Sequence, residues 1–255
     1  MVRVSNTVVA AFNTATLLIS FTIIGASVYF HMHHRSECVK ALEAPLLAFG
    51  VFLLFVSLLG LIGSCCNVYF FFCLYLFVMI LMLIGIVAFA LFALAVTNKG
   101  VGHAVSGAGY KEYRLGDFSN WLKNHFVNED NWGKIRTCLV DVQVCSLTAG
   151  NMTAEQFFKK KLSPIESGCC KPPTSCGFTY KNGTTWTVPQ TGSASTDTDC
   201  MTWSNKQKTL CYDCNSCKAG VLANLKENWR LYIYISAVVI AIIVFIFFIS
   251  KAAFR

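Results

Sequence analysis

The sequence predicts an all-α membrane protein: four transmembrane helices with a large disulfide-stapled, partly helical extracellular loop. Three observations predict it. Apolar residues make up 55% of the 255-residue chain and charged residues only 13%, about half the charged share of a soluble domain. The deficit is concentrated in long charge-free runs. Nine of the thirteen cysteines and both Asn-X-Thr sequons fall in a single polar interval, 97–230.

Residues 1–7 are a short polar start with one cation, Arg3. No charged side chain then occurs from Val4 to Phe30. About 20 apolar residues at 1.5 Å each cross a hydrocarbon layer roughly 30 Å thick, so 8–30 is a span. A cleaved signal core is only about 7–15 residues and follows a basic start, which this run does not match. Asn6, Asn13, Ser20 and Ser27 recur every seven residues. That period puts them on one stripe of a helix in a left-handed bundle. Helix contacts in lipid favour small and hydrogen-bonding residues, and Asn13, inside the span, is expected to make an interhelical hydrogen bond.

Residues 31–43 read as a small extracellular loop. His31, His33 and His34 are too tightly spaced for a known metal site and read as a solvated membrane-edge cluster. Ala44 to Asn98 is charge-free and too long for one span. Ser64-Cys65-Cys66-Asn67 breaks it into helices 44–63 and 70–96, joined by a cytosolic turn, 64–69. Gly50, Ser57 and Ser64 again recur at seven, and Gly60 and Gly63 are expected to let backbones approach closely. Phe70, Phe71, Phe72 and Tyr75 are expected at the membrane interface. The last span is 231–250, followed by a short tail, 251–255.

Within 97–230, Leu115, Phe118, Trp121, Leu122 and Phe126 fit one helical face, and Trp132, Ile135 and Leu139 another. Thr153 with Gln156 three positions on reads as the capping box of a third short helix. Beyond Cys170, Gly, Thr, Ser and Pro dominate, and the stretch reads as loop.

Sidedness rests on the sequons and cysteines, since few Lys or Arg residues flank the spans to vote. Glycosylation at Asn151 and Asn182 and disulfide formation both belong to the luminal or extracellular side. Both loops are therefore expected outside, with the termini, Cys65 and Cys66 in the cytosol. Cysteines at a cytosolic membrane edge are sites for palmitoylation, expected at Cys65 and Cys66. Cys73, further into the span, reads as packing.

The net charge of +8 does not point to nucleic acid. Sixteen basic against eleven acidic side chains in 97–230 leave +5, spread without a basic stripe. Lys159-Lys160-Lys161 reads as the wet face of a short helix.

Ten cysteines lie outside: Cys38, Cys138, Cys145, Cys169, Cys170, Cys176, Cys200, Cys211, Cys214 and Cys217. The even number supports a disulfide framework, whose connectivity the sequence leaves open. Cys211-x-x-Cys214-x-x-Cys217 reads as structural bonds rather than a zinc or thiol-exchange site, given the oxidising compartment. The run Gly168-Cys169-Cys170-Lys171-Pro172-Pro173 reads as a junction. Adjacent cysteines each reach a separate partner, because a disulfide needs Cα atoms about 4.4–6.8 Å apart. Gly168 is expected to supply backbone freedom before the pair, and the prolines stiffness after it.

GCCKPP resembles the signature of plant tetraspanins, a version of the CCG motif of the wider tetraspanin family. The opening at Arg3, Ser5, Asn6 and Asn13, the short and long outer loops, the Cys211–Cys217 cluster and Cys65-Cys66 carry the resemblance along nearly the whole chain. It implies a bond from Cys169 to Cys211, Cys214 or Cys217. It also implies a non-enzymatic organiser at the plasma membrane, one that associates within the bilayer with itself, other tetraspanins and other membrane proteins. Such proteins are linked to cell differentiation and development. No catalytic constellation, metal set or cofactor is expected. The alternative is a four-span channel or transporter, but those place ionisable groups or broken helices within spans, and the spans carry neither.

Overall fold

The computed structural model describes residues 2–33, 37–66, 69–97, 100, 102–146, 153–188 and 197–253. It falls into two units, 1–92 with 231–255, and 93–230. In chain order the elements are α1 (Val2–Met32), α2 (Glu37–Cys65), α3 (Tyr69–Thr97), β1 (His103–Ala104), β2 (Lys111–Glu112) and a 3-10 turn (Leu115–Asp117). Then come α4 (Asn120–Phe126), α5 (Glu129–Asp141), α6 (Ala154–Lys159), α7 (Pro164–Cys169) and a second 3-10 turn (Thr174–Cys176). The chain finishes with β3 (Thr179–Asn182), β4 (Thr185–Thr187), α8 (Thr198–Thr202), α9 (Asn215–Glu227) and α10 (Trp229–Ala253).

Among the described residues, four helices are long and apolar enough to cross a membrane: α1, α2, α3 and α10. They overrun the expected spans. Most of the small loop expected at 31–43 is helical, because α1 runs to Met32 and α2 begins at Glu37. Lys40, Ala41, Leu42 and Glu43 are good helix formers, so the helix continues beyond the apolar run. His31 Nδ1 lies 2.6 Å from the Glu43 carboxylate, and the His33 ring stacks on Tyr29. His34 lies outside the described residues.

The seven-residue stripes face inward. Asn13, Ser20 and Ser27 on α1 are buried, as are Gly50, Ser57 and Ser64 on α2, and the two helices pack together. Ser27 Oγ donates to the Glu43 carbonyl at 3.0 Å. Asn13 Nδ2 donates to the Val9 carbonyl at 2.9 Å and lies 3.5 Å from the Tyr75 hydroxyl of α3. A methyl group at Gly60 would collide with the Asn13 amide, and one at Gly63 would lie 3.0 Å from Phe72 Cα. Phe72 and Tyr75 are therefore inside the bundle, not at the interface as expected from their aromatic character, while Phe70 is exposed. Val56, Leu59, Tyr75, Met79 and Ile243 form the unit's core.

Cys65, Cys66 and Cys73 are free thiols, all exposed. The packing expected of Cys73 is corrected: it is exposed on α3, while the buried positions in this part of the helix are Phe72, Tyr75 and Met79.

In the second unit, α4 and α5 form where the apolar periodicity puts them. The Ser119 hydroxyl caps α4, and the Asn128 side chain caps α5. Phe118, Leu122, Trp132 and Leu139 pack with Leu210, Tyr212 and Leu222 into the core. Trp121 and Phe126, expected on the same apolar face, are partly exposed because α4 buries only one narrow side. The Thr153–Gln156 capping box is formed. Lys159 ends that helix paired with Glu155 at 2.6 Å, and Lys160 is its C-cap. The lysine run therefore straddles the helix end.

The stretch beyond Cys170 is not simply loop. Its composition hides an antiparallel β3–β4 hairpin, in which Tyr180 faces Trp186, and the 13-residue helix α9. α9 forms because Ala219, Leu222 and Ala223 bury one face and Asp199 caps its start.

Candidate functional site

The elements of the second unit converge on the GCCKPP run. Ser163 and Glu166 form a capping box around Pro164, the first residue of α7, where a missing amide costs nothing. Ser163 therefore sets the helix that carries Gly168 and Cys169. α7 and α9 cross in contact. A methyl group at Gly168 would run into the Ser216 carbonyl, and one at Gly220 into the Pro164 carbonyl. This corrects the expected role of Gly168. It lies inside a helix, and what it supplies is space for a second backbone rather than conformational freedom.

That close approach sets the disulfides. Cys169 bonds to Cys217 and Cys170 to Cys145. The adjacent cysteines thus staple α7 to α9 on one side and to the segment after α5 on the other. Cys176 bonds to Cys200 and Cys211 to Cys214. Cys38 and Cys138 are disulfide-bonded as well. The Cys211–Cys214 bond closes the turn entering α9, where the buried Asp199 carboxylate accepts from Asn215 N at 2.7 Å and Ser216 N at 2.8 Å. A carboxylate here satisfies orphan amides and complements the helix dipole.

Lys171 is almost fully buried. Its ammonium pairs with Glu112 of β2, donates to the Pro172 carbonyl at 3.2 Å and sits 4.9 Å above the Tyr110 ring. Glu112 also accepts from Thr174 N at 3.1 Å and Thr174 Oγ1 at 2.8 Å. One carboxylate thereby gathers both ends of the Lys171–Thr174 segment. Burial pushes the Lys171 amine down from its usual range, against the opposing charge and hydrogen bond of Glu112. The lysine–glutamate pairing was not read from the sequence. The signal for it was a lysine between a core disulfide pair and two prolines, a position with no route to solvent.

Beside this junction opens a cleft of about 420 Å³, whose walls include Arg114, Thr174, Ser175, Asp197 and Asn215. Further out, Tyr110, Phe157, Tyr180 and Trp186 form an aromatic cluster under the hairpin. Asn205 holds β4 by accepting from Trp186 N and donating to Trp186 O, both at 2.9 Å. Gln207 Nε2 donates to the Thr184 hydroxyl.

Of the two sequons, Asn182 is exposed at the end of β3, and Asn151 lies outside the described residues. The Gly-, Thr- and Ser-rich stretch 174–198, which reads as loop in the sequence, is described over 174–188 and 197–198. Val188 is 55% exposed and Met201 76% exposed, on either side of the undescribed part.

The profile of the Tetraspanin family matches residues 5–252. The chain is 43% identical to Tetraspanin-8 of Arabidopsis thaliana, over 100% of this chain and 94% of that protein. It is 46% identical to Tetraspanin-11, over 90% of this chain and 87% of the other, and 41% identical to Protein TORNADO 2, over 98% and 93%, both of Arabidopsis thaliana. No solved structure matches the chain significantly. Four apolar helices, a disulfide-stapled loop and a family match along nearly the whole sequence agree: this multi-pass membrane protein belongs to the tetraspanin family.

Proposed function

We propose that this chain is a membrane organiser, acting by lateral association with itself, other tetraspanins and other membrane proteins, and carrying out no chemistry. The observation that supports this best is the pair of exposed apolar side chains, Val188 and Met201, on a platform pinned by disulfides. Binding residues concentrate on surface loops held by a rigid scaffold. The plasma membrane is the proposed location, with the termini and Cys65-Cys66 on the cytosolic side. Glycans on Asn151 and Asn182 and acyl chains on Cys65 and Cys66 complete the reading. A role in cell differentiation and development follows by family resemblance.

The test is crosslinking in intact membranes. The native loop is compared with one carrying Val188→Ser and Met201→Ser. Loss of hetero-partners with self-association retained supports the reading. Unchanged partners, or ion conduction by the purified protein, would overturn it.

A further inference from the structure

The cleft of about 420 Å³ beside the GCCKPP junction lies wholly within the loop unit, 93–230. Its size falls within the range of ligand sites, about 300–1,000 Å³. Glu112, Asp197 and Asp199 bring carboxylates to its lining. Each is already engaged within the fold. Glu112 pairs with the Lys171 ammonium and accepts twice from Thr174. Asp199 accepts from Asn215 N and Ser216 N at the start of α9, where the helix dipole offsets its charge. Asp197 caps α8 by accepting from Asp199 N at 3.1 Å. An incoming cation would have to compete with the amides and the ammonium that these carboxylates hold.

The unengaged groups of the lining are of another kind. Arg114 is exposed at the cleft wall, and its guanidinium has no partner among the described residues. It occupies the N-cap of the turn 115–117 without a side-chain bond there. Ser175 and Asn215 are exposed on the same lining, and their side chains likewise have no hydrogen-bond partner among the described residues. The cleft thus presents a planar fork of five N–H donors, one carboxamide and one hydroxyl. The fork matches the two oxygens of a carboxylate. The carboxamide carries the same donor and acceptor as a peptide group and can pair with one. Leu115 and Pro173, both half-buried, supply apolar surface beside them.

We propose that this cleft seats a glutamate side chain on an exposed peptide segment of a partner membrane protein. The proposal rests on the organiser reading and names the chemistry of the partner. The glutamate carboxylate takes two parallel N–H donors of Arg114. The Asn215 carboxamide pairs with the peptide group beside it, and the methylenes lie on Leu115 and Pro173. Asp197 is a like charge in the same lining, so it limits the affinity and rejects segments that meet Arg114 poorly.

The test uses the full chain in maltoside micelles and the blocked peptide acetyl-Gly-Glu-Gly-amide, read by saturation-transfer NMR. The wild type is expected to bind it, and to bind the Gln counterpart about tenfold more weakly, the worth of one hydrogen bond to a charged group. Arg114→Gln is expected to abolish that preference. Asp197→Asn, which keeps a good cap for α8, is expected to tighten the Glu peptide and leave the Gln peptide unchanged. Unchanged melting and non-reducing mobility show that the variants are folded. Acetate and methyl glucuronide are the competing probes, and both are expected to displace the Glu peptide only at higher concentration than the peptide itself. Five results would overturn the proposal: equal binding of the two peptides by the wild type, an undiminished preference in Arg114→Gln, weaker binding of the Glu peptide by Asp197→Asn, displacement by acetate or methyl glucuronide as effective as by the peptide, or no binding by the folded wild type. The organiser reading is decided separately, by the Val188→Ser and Met201→Ser crosslinking, in which Arg114 is native.

Discussion

The Asn13 carboxamide occupies the space that a side chain at Gly60 would need. The amide is buried between α1 and α2 and turned toward its own helix at Val9 and toward Tyr75. A polar group at this depth is tolerated because its donors are used and because glycine faces it.

Gly60→Ala is expected to destabilise the bundle by about 1–3 kcal/mol, the usual cost of forcing extra volume into a packed site. Thermal unfolding followed by size-exclusion fluorescence reads the loss. Asn13→Ala should recover much of it in the double variant, since the two residues share one space. Strictly additive losses in the double variant would show that they do not compete for it.

Glu112→Ala should cost about 3–5 kcal/mol, because it strands the buried Lys171 charge. Replacing both partners, Lys171→Met with Glu112→Leu, should be far milder and close to neutral. Chemical denaturation of the oxidised protein distinguishes the two. Equal damage from both variants would assign the cost to packing around Tyr110 rather than to the ion pair.

The tyrosines of the loop predict an alkaline limit to stability. Burial pushes Tyr110, Tyr113 and Tyr212 up from the usual phenol range, and the Glu112 and Glu227 charges add to the rise for the first two. A raised folded pKa means that the folded state holds the proton more tightly than the unfolded chain. The resulting stability is fully present below the unfolded pKa of 10. It is lost as pH climbs from there through the folded values. Lys171, shifted the other way, gives an opposing trend at lower pH, below the ordinary lysine range, where the folded state gives up this proton before the unfolded chain does. Ultraviolet titration should show a tyrosine class that ionises late and together with unfolding. Simple titration of every tyrosine near 10 with the fold intact would contradict this.

Asn182→Gln should remove one glycan, seen as a mobility shift sensitive to glycosidase. Thr184, the third sequon residue, is buried with its hydroxyl held by Gln207. Glycan addition is therefore expected before the hairpin docks. Slowing disulfide formation with a mild reductant during synthesis should raise occupancy at Asn182. Unaltered occupancy would show that docking does not limit the reaction.

Periodicity carried much of this architecture. The heptad stripes of α1 and α2, the apolar faces of α4 and α5 and the Thr153 cap were legible because each depends on local spacing. The hairpin was also written locally, as Asn182-Gly183 between β-rich runs, but the surrounding Thr and Gly masked it. Long-range relations were not legible. Lys171 meets Glu112 across 59 residues, and the helix cap from Asp199 to Asn215 crosses 16. Nothing in local pattern announces such partners. Gly168 shows the same limit from another side. A glycine before two cysteines suggests a bend, and only the crossing with α9 shows that the missing side chain makes room for Ser216.

The Cys176–Cys200 bond, with Cα atoms 5.5 Å apart, turns residues 176–200 into a covalent ring whose ends are held together. Closing such a ring once removes the main entropic penalty for changing what lies inside it. Lengthening a flexible loop between fixed ends costs only about 0.6 kcal/mol per doubling. Changes of sequence or length between the two cysteines therefore carry a small entropic cost for the frame that holds them. The bond thereby separates what lies inside the ring from the frame that closes it.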